Sequence, residues 1–438
     1  MARSGTVTNG ARRQRLKQAR MGRTWEALGG VAAQCSQAGA SFLLQILAVR
    51  LLGLEGLGVF AALYGIIIVV TGVSTGFVGD SLTVLDRYAP RVRAGLQSWW
   101  LGLSSGLGLL VAVGAWVTGL TDRSTAVVFG AATTFFLLED ALRRLLMANL
   151  RFWTLVLVDL SGLFTAVVTI FVVASSGAFR VVDLLLALAF GQAVAGVVAI
   201  ALLPRSERHL APWRSADLRL VGNYGANRAA QLSLRPGLQA ATRLLGLALV
   251  SAAAVGELEA ARVYMAPTLI VIGGLVSVLF AQYAAAKQER LAGLIKVADR
   301  HALLLGAGAA LLCGACAAAL PWLGPLLTAD EFALPTLGLV GWSLRTLAFA
   351  GAMPYMSLAA VRGMQRITLL ITLTEFCIVL VAVTLLLTLG ASILWVPFLL
   401  AGGSTATAVV VRARVLPLRR TREEELARGT ALAGSTDA

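Results

Sequence analysis

The sequence predicts an all-α, polytopic membrane protein with twelve transmembrane helices in two six-helix lobes. Three observations point there. Only 13% of the 438 residues are charged and 58% are hydrophobic, against about 25% charged in a soluble domain. Apolar runs of at least the roughly 20 residues that cross a hydrocarbon core recur twelve times. The basic residues between these runs fall almost wholly on alternate sides. Such a composition excludes a water-soluble enzyme, and a disordered chain would need low hydrophobicity and high charge.

In chain order the runs lie at 26–52, 57–85, 95–119, 124–148, 152–174 and 181–203, then at 218–250, 255–284, 301–321, 334–360, 367–389 and 391–412. They are too long and too evenly apolar for alternating barrel strands, and a helix satisfies its own backbone in lipid. The basic segment 1–25 is followed by no small-residue cleavage site, so it reads as a cytoplasmic tail. With that tail inside, 29 of the 37 basic residues share its side. They are the tail arginines and Lys17; Arg87, Arg91 and Arg93; Arg143, Arg144 and Arg151; Arg205, Arg208, Arg214 and Arg219; Lys287 to Arg300; Arg362 and Arg366; and Arg412 to Arg428. Only Arg50, Arg123 and Arg180 face the other way, and five lie within spans. This asymmetry places both termini, including the tail 413–438, in the cytoplasm. It also accounts for a net charge of +15 without nucleic acid. Only three of the basic residues are lysines, a bias of GC-rich bacterial genomes, so the expected location is a bacterial inner membrane.

The chain repeats itself. Leu52-Gly53-Leu54-Glu55-Gly56-Leu57-Gly58-Val59-Phe60 enters the second run, and Val255-Gly256-Glu257-Leu258-Glu259 enters the eighth. Each entry leads into a run of about 30 residues that ends at a basic residue, Arg87 or Lys287. The polar stretch from Pro204 to Trp213 separates them. We therefore expect an N-lobe at 26–203, a cytoplasmic linker at 204–217 and a C-lobe at 218–412, related as a parallel repeat. The cysteines, Cys35, Cys313, Cys316 and Cys377, all sit in apolar runs. Cys313-x-x-Cys316 has neither a second pair nor a nearby histidine, so it reads as helix packing rather than a metal or redox site. His209 and His301 have no ligand or triad spacing, and no phosphate-binding glycine loop is present. No enzyme activity, cofactor or metal is expected.

The Leu-Gly-x-Glu-Gly-x-Gly-x-Phe motif resembles that of polysaccharide (O-antigen type) flippases of the multidrug/oligosaccharidyl-lipid/polysaccharide exporter superfamily. Val255-Gly256-Glu257, the following Ala260-Ala261-Arg262-Val263-Tyr264, and the turn Gly324-Pro325-Leu326-Leu327-Thr328-Ala329-Asp330-Glu331-Phe332 fit the same pattern. The resemblance implies two six-helix bundles facing each other across a central cavity. It also implies that the cargo is a polyprenyl-pyrophosphate-linked glycan, moved from the inner to the outer leaflet.

Charges inside spans are costly and face a cavity or a partner. On the seventh span, at 100° per residue, Arg228, Arg235, Arg243, Tyr224, Gln231, Gln239 and Thr242 fall within one arc of about 120°, and Pro236, midway along the stretch, removes a backbone donor. Arg228 to Arg243 covers about 22 Å of depth. Such a ladder suits an anionic head group, because a guanidinium stays charged and grips phosphate with two hydrogen bonds. Arg228 lines the cavity or snorkels to the interface. Arg345, deep in the tenth span, is the second candidate, while Arg262 is expected to pair with Glu259 or Glu257. On the first span Gln34, Gln37, Ser41 and Gln45 share a face, either to bind sugar hydroxyls or to join packed helices. Asp80, Glu139 and Asp140 are expected to bridge Arg87, Arg143 and Arg144. Asp159 and Glu375 lie deeper, and a buried carboxylate can hold a proton, so both are candidates for coupling to a proton or sodium ion.

Together with the resemblance, these residues lead us to expect a flippase for a polyprenyl-pyrophosphate-linked oligosaccharide, working by alternating access. Partners would be that glycan, membrane lipids and glycan polymerase or assembly proteins. The alternatives are an ion-coupled exporter of small amphipathic molecules and a non-transporting partner of a glycan-assembly complex.

Overall fold

The computed structural model describes residues 9–209, 211–286, 289–419 and 421, with side chains from residue 29 on except at 83, 277 and 281. The side chains of the basic tail, Lys287, Arg420, Arg422 and Arg428 lie outside the described residues. Helix makes up 88% of the structure. The chain opens with α1 (Asn9–Ser74), which breaks at Gly53, where φ is 62°. A side chain is strained at such a φ, so glycine marks the end of one span and the start of the next. A π turn (Thr75–Gly79) and the short α2 (Ser81–Val84) follow. Next come α3 (Pro90–Val117), α4 (Arg123–Ala148), α5 (Phe152–Ala174) and α6 (Val181–Leu202). Proline leads α3, where no helical donor is lost. Asp122 caps α4 by accepting from the amides of Ser124 and Thr125. The linker folds into two 3-10 turns (Arg205–Glu207 and Trp213–Ser215).

Beyond it lie α7 (Leu218–Leu249), α8 (Ala252–Ala285), α9 (Leu291–Thr328), α10 (Thr336–Val361), α11 (Gln365–Thr388) and α12 (Val396–Val410). The ninth expected span, 301–321, is thus the middle of a longer helix, which ends where Ala329 and Asp330 take φ of 52° and 61°. Among the described residues, ten helical stretches are long and apolar enough to cross a membrane. One of them, Gly29–Gly79, is 51 residues long and holds two spans either side of Gly53. Helix α7 has 32 residues, ample length for a crossing. Its four arginines, Arg219, Arg228, Arg235 and Arg243, lower its hydropathy and keep it out of the ten. Together these reconcile ten apolar stretches with twelve expected spans.

Large apolar side chains point outward along the helices: Phe164 is 71% exposed, Leu303 74% and Leu311 76%. In water such a surface would drive aggregation, whereas in lipid it is the outer face.

Contacts divide the chain into two compact units. Unit 1 comprises Met1–Leu44 and Val70–Ala230; unit 2 comprises Gln45–Val69 and Gln231–Ala438. Each draws on both sides of the sequence midpoint, whereas the lobes expected at 26–203 and 218–412 are contiguous. In unit 1, α4, α5 and α6 pack around Leu146, Leu155, Val158 and Ala199. The linker lies along α3. Gln97 donates to the His209 carbonyl (3.0 Å) and accepts from the Ala211 amide (2.8 Å), and Asp217 donates its amide to Arg91 (3.1 Å). In unit 2, Tyr283, Leu294, Leu358 and Val411 form the core. The two glycine motifs meet there. A Cβ on Gly58 would stand 2.0 Å from the Ala252 carbonyl oxygen, and one on Gly256 1.9 Å from that of Leu54. Small residues let helix backbones approach this closely.

Candidate functional site

The α7 ladder divides by partner. In unit 1, Arg228 pairs with Asp80 on the turn after α1, and the pair is partly exposed. Tyr224 is half-buried one turn away. In unit 2, Arg243 donates to both oxygens of Glu259 (2.7 and 3.2 Å), which also accepts from Arg262 (2.5 Å). Arg262 reaches Gln45 (2.7 Å). Glu259 is only 2% exposed, so it sits between two guanidiniums, and the expected pairing of Arg262 gains a second partner.

Arg235 is held differently. Its guanidinium contacts the Met353 sulfur (3.5 Å) and lies 5.9 Å from the Phe349 ring centroid, within cation–π range. It makes no ion pair among the described residues. Arg345, on α10, is buried and donates to Ser404 (2.7 Å). Ser404 donates in turn to Glu375 Oε1 (2.9 Å), and Thr407 donates to Oε2 (2.8 Å). Ser404 and Thr407 can both reach Glu375 because residues three apart share a helix face. Leu234, Arg235, Leu238, Gln239, Arg345, Thr372, Glu375, Phe376 and Leu400 line one crevice of about 10 Å3, room for about one water. Two guanidiniums face one carboxylate there, leaving one positive charge in excess. Gln231, on the α7 turn before Arg235, is half-buried.

Unit 1 holds a contrasting site. Asp159 on α5 accepts two bonds from Arg143 on α4 (3.1 and 3.3 Å) and one from Ser36 (2.5 Å). Arg143 also donates to Gln37 (2.6 Å) and to the Ala33 carbonyl (3.0 Å). The pair is neutral, buried and saturated. Arg144 takes Asp140 (2.8 Å) one helical turn back. Glu139, 7% exposed, makes no hydrogen bond or ion pair among the described residues. Its expected bridge does not form, because both neighbouring arginines are taken by other carboxylates.

The amides of the first span accept from arginines rather than standing open: Gln37 from Arg143, Gln45 from Arg262. Ser41 is half-buried and Gln34 is exposed. Ser36, Ser404 and Thr407 were not expected, since single hydroxyls in apolar helices carry no distinguishing signal. The two deep pairs, however, follow a rule. Arg143 and Asp159, like Arg243 and Glu259, are 16 residues apart. Their midpoints, Arg151 and Ser251, are the turns of the α4–α5 and α7–α8 hairpins. Residues equidistant from a hairpin turn lie side by side, so both pairs can be found by counting outward from it. Cys313 and Cys316 are free thiols on α9, and no group of three metal-ligating side chains occurs among the described residues.

No family model matches the chain, and no curated protein matches it. Solved structures do. An inward-facing multidrug resistance MATE family transporter of the MOP superfamily superposes with a TM-score of 0.64 at 15% identity, over 91% of this chain and 96% of that one. An outward-facing structure of such a transporter gives 0.59 at 15% identity, over 90% and 95%. A MOP superfamily transporter from Pyrococcus furiosus, described as having a binding pocket of reversed polarity, gives 0.54 at 16% identity, over 91% and 93%. The chain therefore has the all-helical fold of the MATE transporters of that superfamily. At these identities the likeness establishes the fold.

Proposed function

We propose that this chain is a membrane transporter that flips a polyprenyl-pyrophosphate-linked oligosaccharide across the bacterial inner membrane, for cell-surface polysaccharide synthesis. The observation that supports it most is the excess positive charge at Arg235 and Arg345. A guanidinium at the membrane centre costs about 2.5–3.5 kcal/mol on insertion scales, and Arg235 recovers little of that from a sulfur and an aromatic ring. An anionic ligand would offset the cost. A pyrophosphate, accepting bidentate hydrogen bonds, fits two such donors. The fold is that of proteins solved in inward- and outward-facing forms, which suits alternating access.

In this mechanism Arg235 and Arg345 grip the phosphates, while Gln239 and the hydroxyls of Ser404 and Thr407 orient the head group. Glu375 is the resident counter-charge, joined to Arg345 through Ser404. Glu375 also suits ion coupling better than Asp159, because its hydrogen-bond partners are the neutral hydroxyls of Ser404 and Thr407, whereas Asp159 is ion-paired with Arg143. The same excess charge disfavours cationic cargo, since like charges repel strongly at low dielectric. An ion-coupled exporter of small amphipathic molecules is the second reading, favoured by the multidrug transporters among the structural neighbours.

The test is accumulation of unflipped lipid-linked glycan in the inner leaflet. Arg235→Ala should abolish export at near-normal protein abundance, and Arg235→Lys should restore part of it, keeping charge but losing the fork. Normal export in both Arg235→Ala and Arg345→Ala cells, at equal abundance, would remove the anion-gripping mechanism and favour a scaffolding role.

A further inference from the structure

Unit 1 contains a cavity of about 260 Å3 whose lining includes neither Arg143 nor Asp159. Its walls come from the end of α6 and the linker, from α3 and α4, and from the turn after α1. Apolar side chains make up most of the lining, among them Leu82, Leu96, Leu142, Leu145 and Leu203. The charged and amide groups are Arg87, Arg93, Gln97, Glu207 and Arg208, with Arg87 and Arg93 gathered on Glu207 (3.5 and 3.8 Å). Three guanidiniums against one carboxylate leave two positive charges. Ile200, 47% exposed, is where the lining meets the outward apolar face.

Among the described residues, three of the eight buried polar side-chain atoms without a hydrogen-bond partner belong to residues lining this cavity: Trp100 Nε1, Arg87 Nε and Glu207 Oε1. Arg87 Nε and Glu207 Oε1 stand 3.5 Å apart in electrostatic contact only. The remaining polar groups are engaged: Arg93 with the Ser206 carbonyl (2.9 Å), Arg208 with the Leu203 carbonyl (2.9 Å) and Gln97 with the linker. Buried donors and acceptors are almost always satisfied, and leaving one unmade costs about 1–3 kcal/mol. Water alone is a poor occupant, because most of the wall offers it no partner.

We infer that this cavity binds one anionic phospholipid, its acyl chain lying along the leucines and its head group at the arginines. The phosphate accepts from Trp100 Nε1 and Arg87 Nε, and a hydroxyl of the head group donates to Glu207 Oε1. Net charge selects an anionic head group over a zwitterionic one. The volume takes an alkyl segment but no oligosaccharide. Leu203, Glu207 and Arg208 belong to the linker and its junction with α6, so a bound lipid fixes the linker against α3 and α4. This assignment does not depend on what the transporter carries.

The experiment is native mass spectrometry of the purified full-length protein, delipidated in detergent and exposed to equal dioleoyl-phosphatidylglycerol and dioleoyl-phosphatidylethanolamine. One phosphatidylglycerol should be retained, preferred at least about fivefold over phosphatidylethanolamine. Ala141→Leu, which fills the cavity, should lower that retention by at least about fivefold, and Trp100→Phe, which keeps the ring but removes the donor, by about threefold. Equal loading of the two lipids overturns the inference, as does wild-type retention by Ala141→Leu. If Ala141→Leu does not accumulate, Trp100→Phe decides, and unchanged retention by that variant overturns it.

Discussion

Arg143 in unit 1 and Arg235 in unit 2 are both arginines inside apolar helices, yet their surroundings differ in kind. Arg143 donates to Asp159, Gln37 and a backbone carbonyl, and Asp159 is completed by Ser36. Arg235 touches a thioether and a phenyl ring. The first is a closed, neutral unit with nothing left to offer a ligand. The second keeps donors in hand beside Arg345 and a single carboxylate. A charge within a span is therefore not by itself a functional site. What separates structure from function is how many of its hydrogen bonds the protein already makes.

The contrast can be broken most forcefully at Arg143. Arg143→Ala leaves Asp159 buried without its ion-pair partner, a loss of about 3–5 kcal/mol. Folded protein in the membrane should fall sharply, where Arg235→Ala leaves it near normal. Pairing Arg143→Met with Asp159→Leu should recover most of that loss, because apolar groups can replace a complete buried ion pair. No recovery in the double variant, read as thermal stability in detergent, would mean that Arg143 acts beyond its ion pair.

A smaller effect is expected at the glycine crossing of unit 2. Gly256→Val must push the Leu54 carbonyl aside, and overpacking of this kind costs about 1–3 kcal/mol. The melting temperature should drop at unchanged anion affinity. Arg228→Ala should do least, within about 1 kcal/mol, because its pair with Asp80 is partly exposed and screened. Thermal melting of that variant beside Arg243→Ala, whose carboxylate is buried, sharpens the ranking along α7.

Much of this was legible in the sequence. Length and hydropathy mark the spans, and 3.6-residue periodicity gathers Arg228, Arg235 and Arg243 on one arc of α7. Periodicity says nothing of what stands opposite, so it could not show that Arg243 meets Glu259 while Arg235 meets only Met353 and Phe349. The approach of Arg345 to Glu375 through Ser404 joins three helices, and no local pattern encodes that. Glu139 shows the converse: its sequence neighbours suggested a salt bridge, but Arg143 and Arg144 point to Asp159 and Asp140. The motif glycines at 58 and 256 were visible as a repeat, yet their close approach depends on packing that a repeat alone does not reveal.

The central claim, that Arg235 is held ready for an anion while Arg143 is not, is tested most directly by binding of polyprenyl pyrophosphate to purified protein. Arg235→Gln should bind it at least about tenfold more weakly, about 1.4 kcal/mol, at an unchanged melting temperature. The Arg143→Met, Asp159→Leu double variant should bind it as the unaltered chain does. Equal affinity in Arg235→Gln and the unaltered chain, or weakened binding only in the unit 1 variant, would contradict the claim.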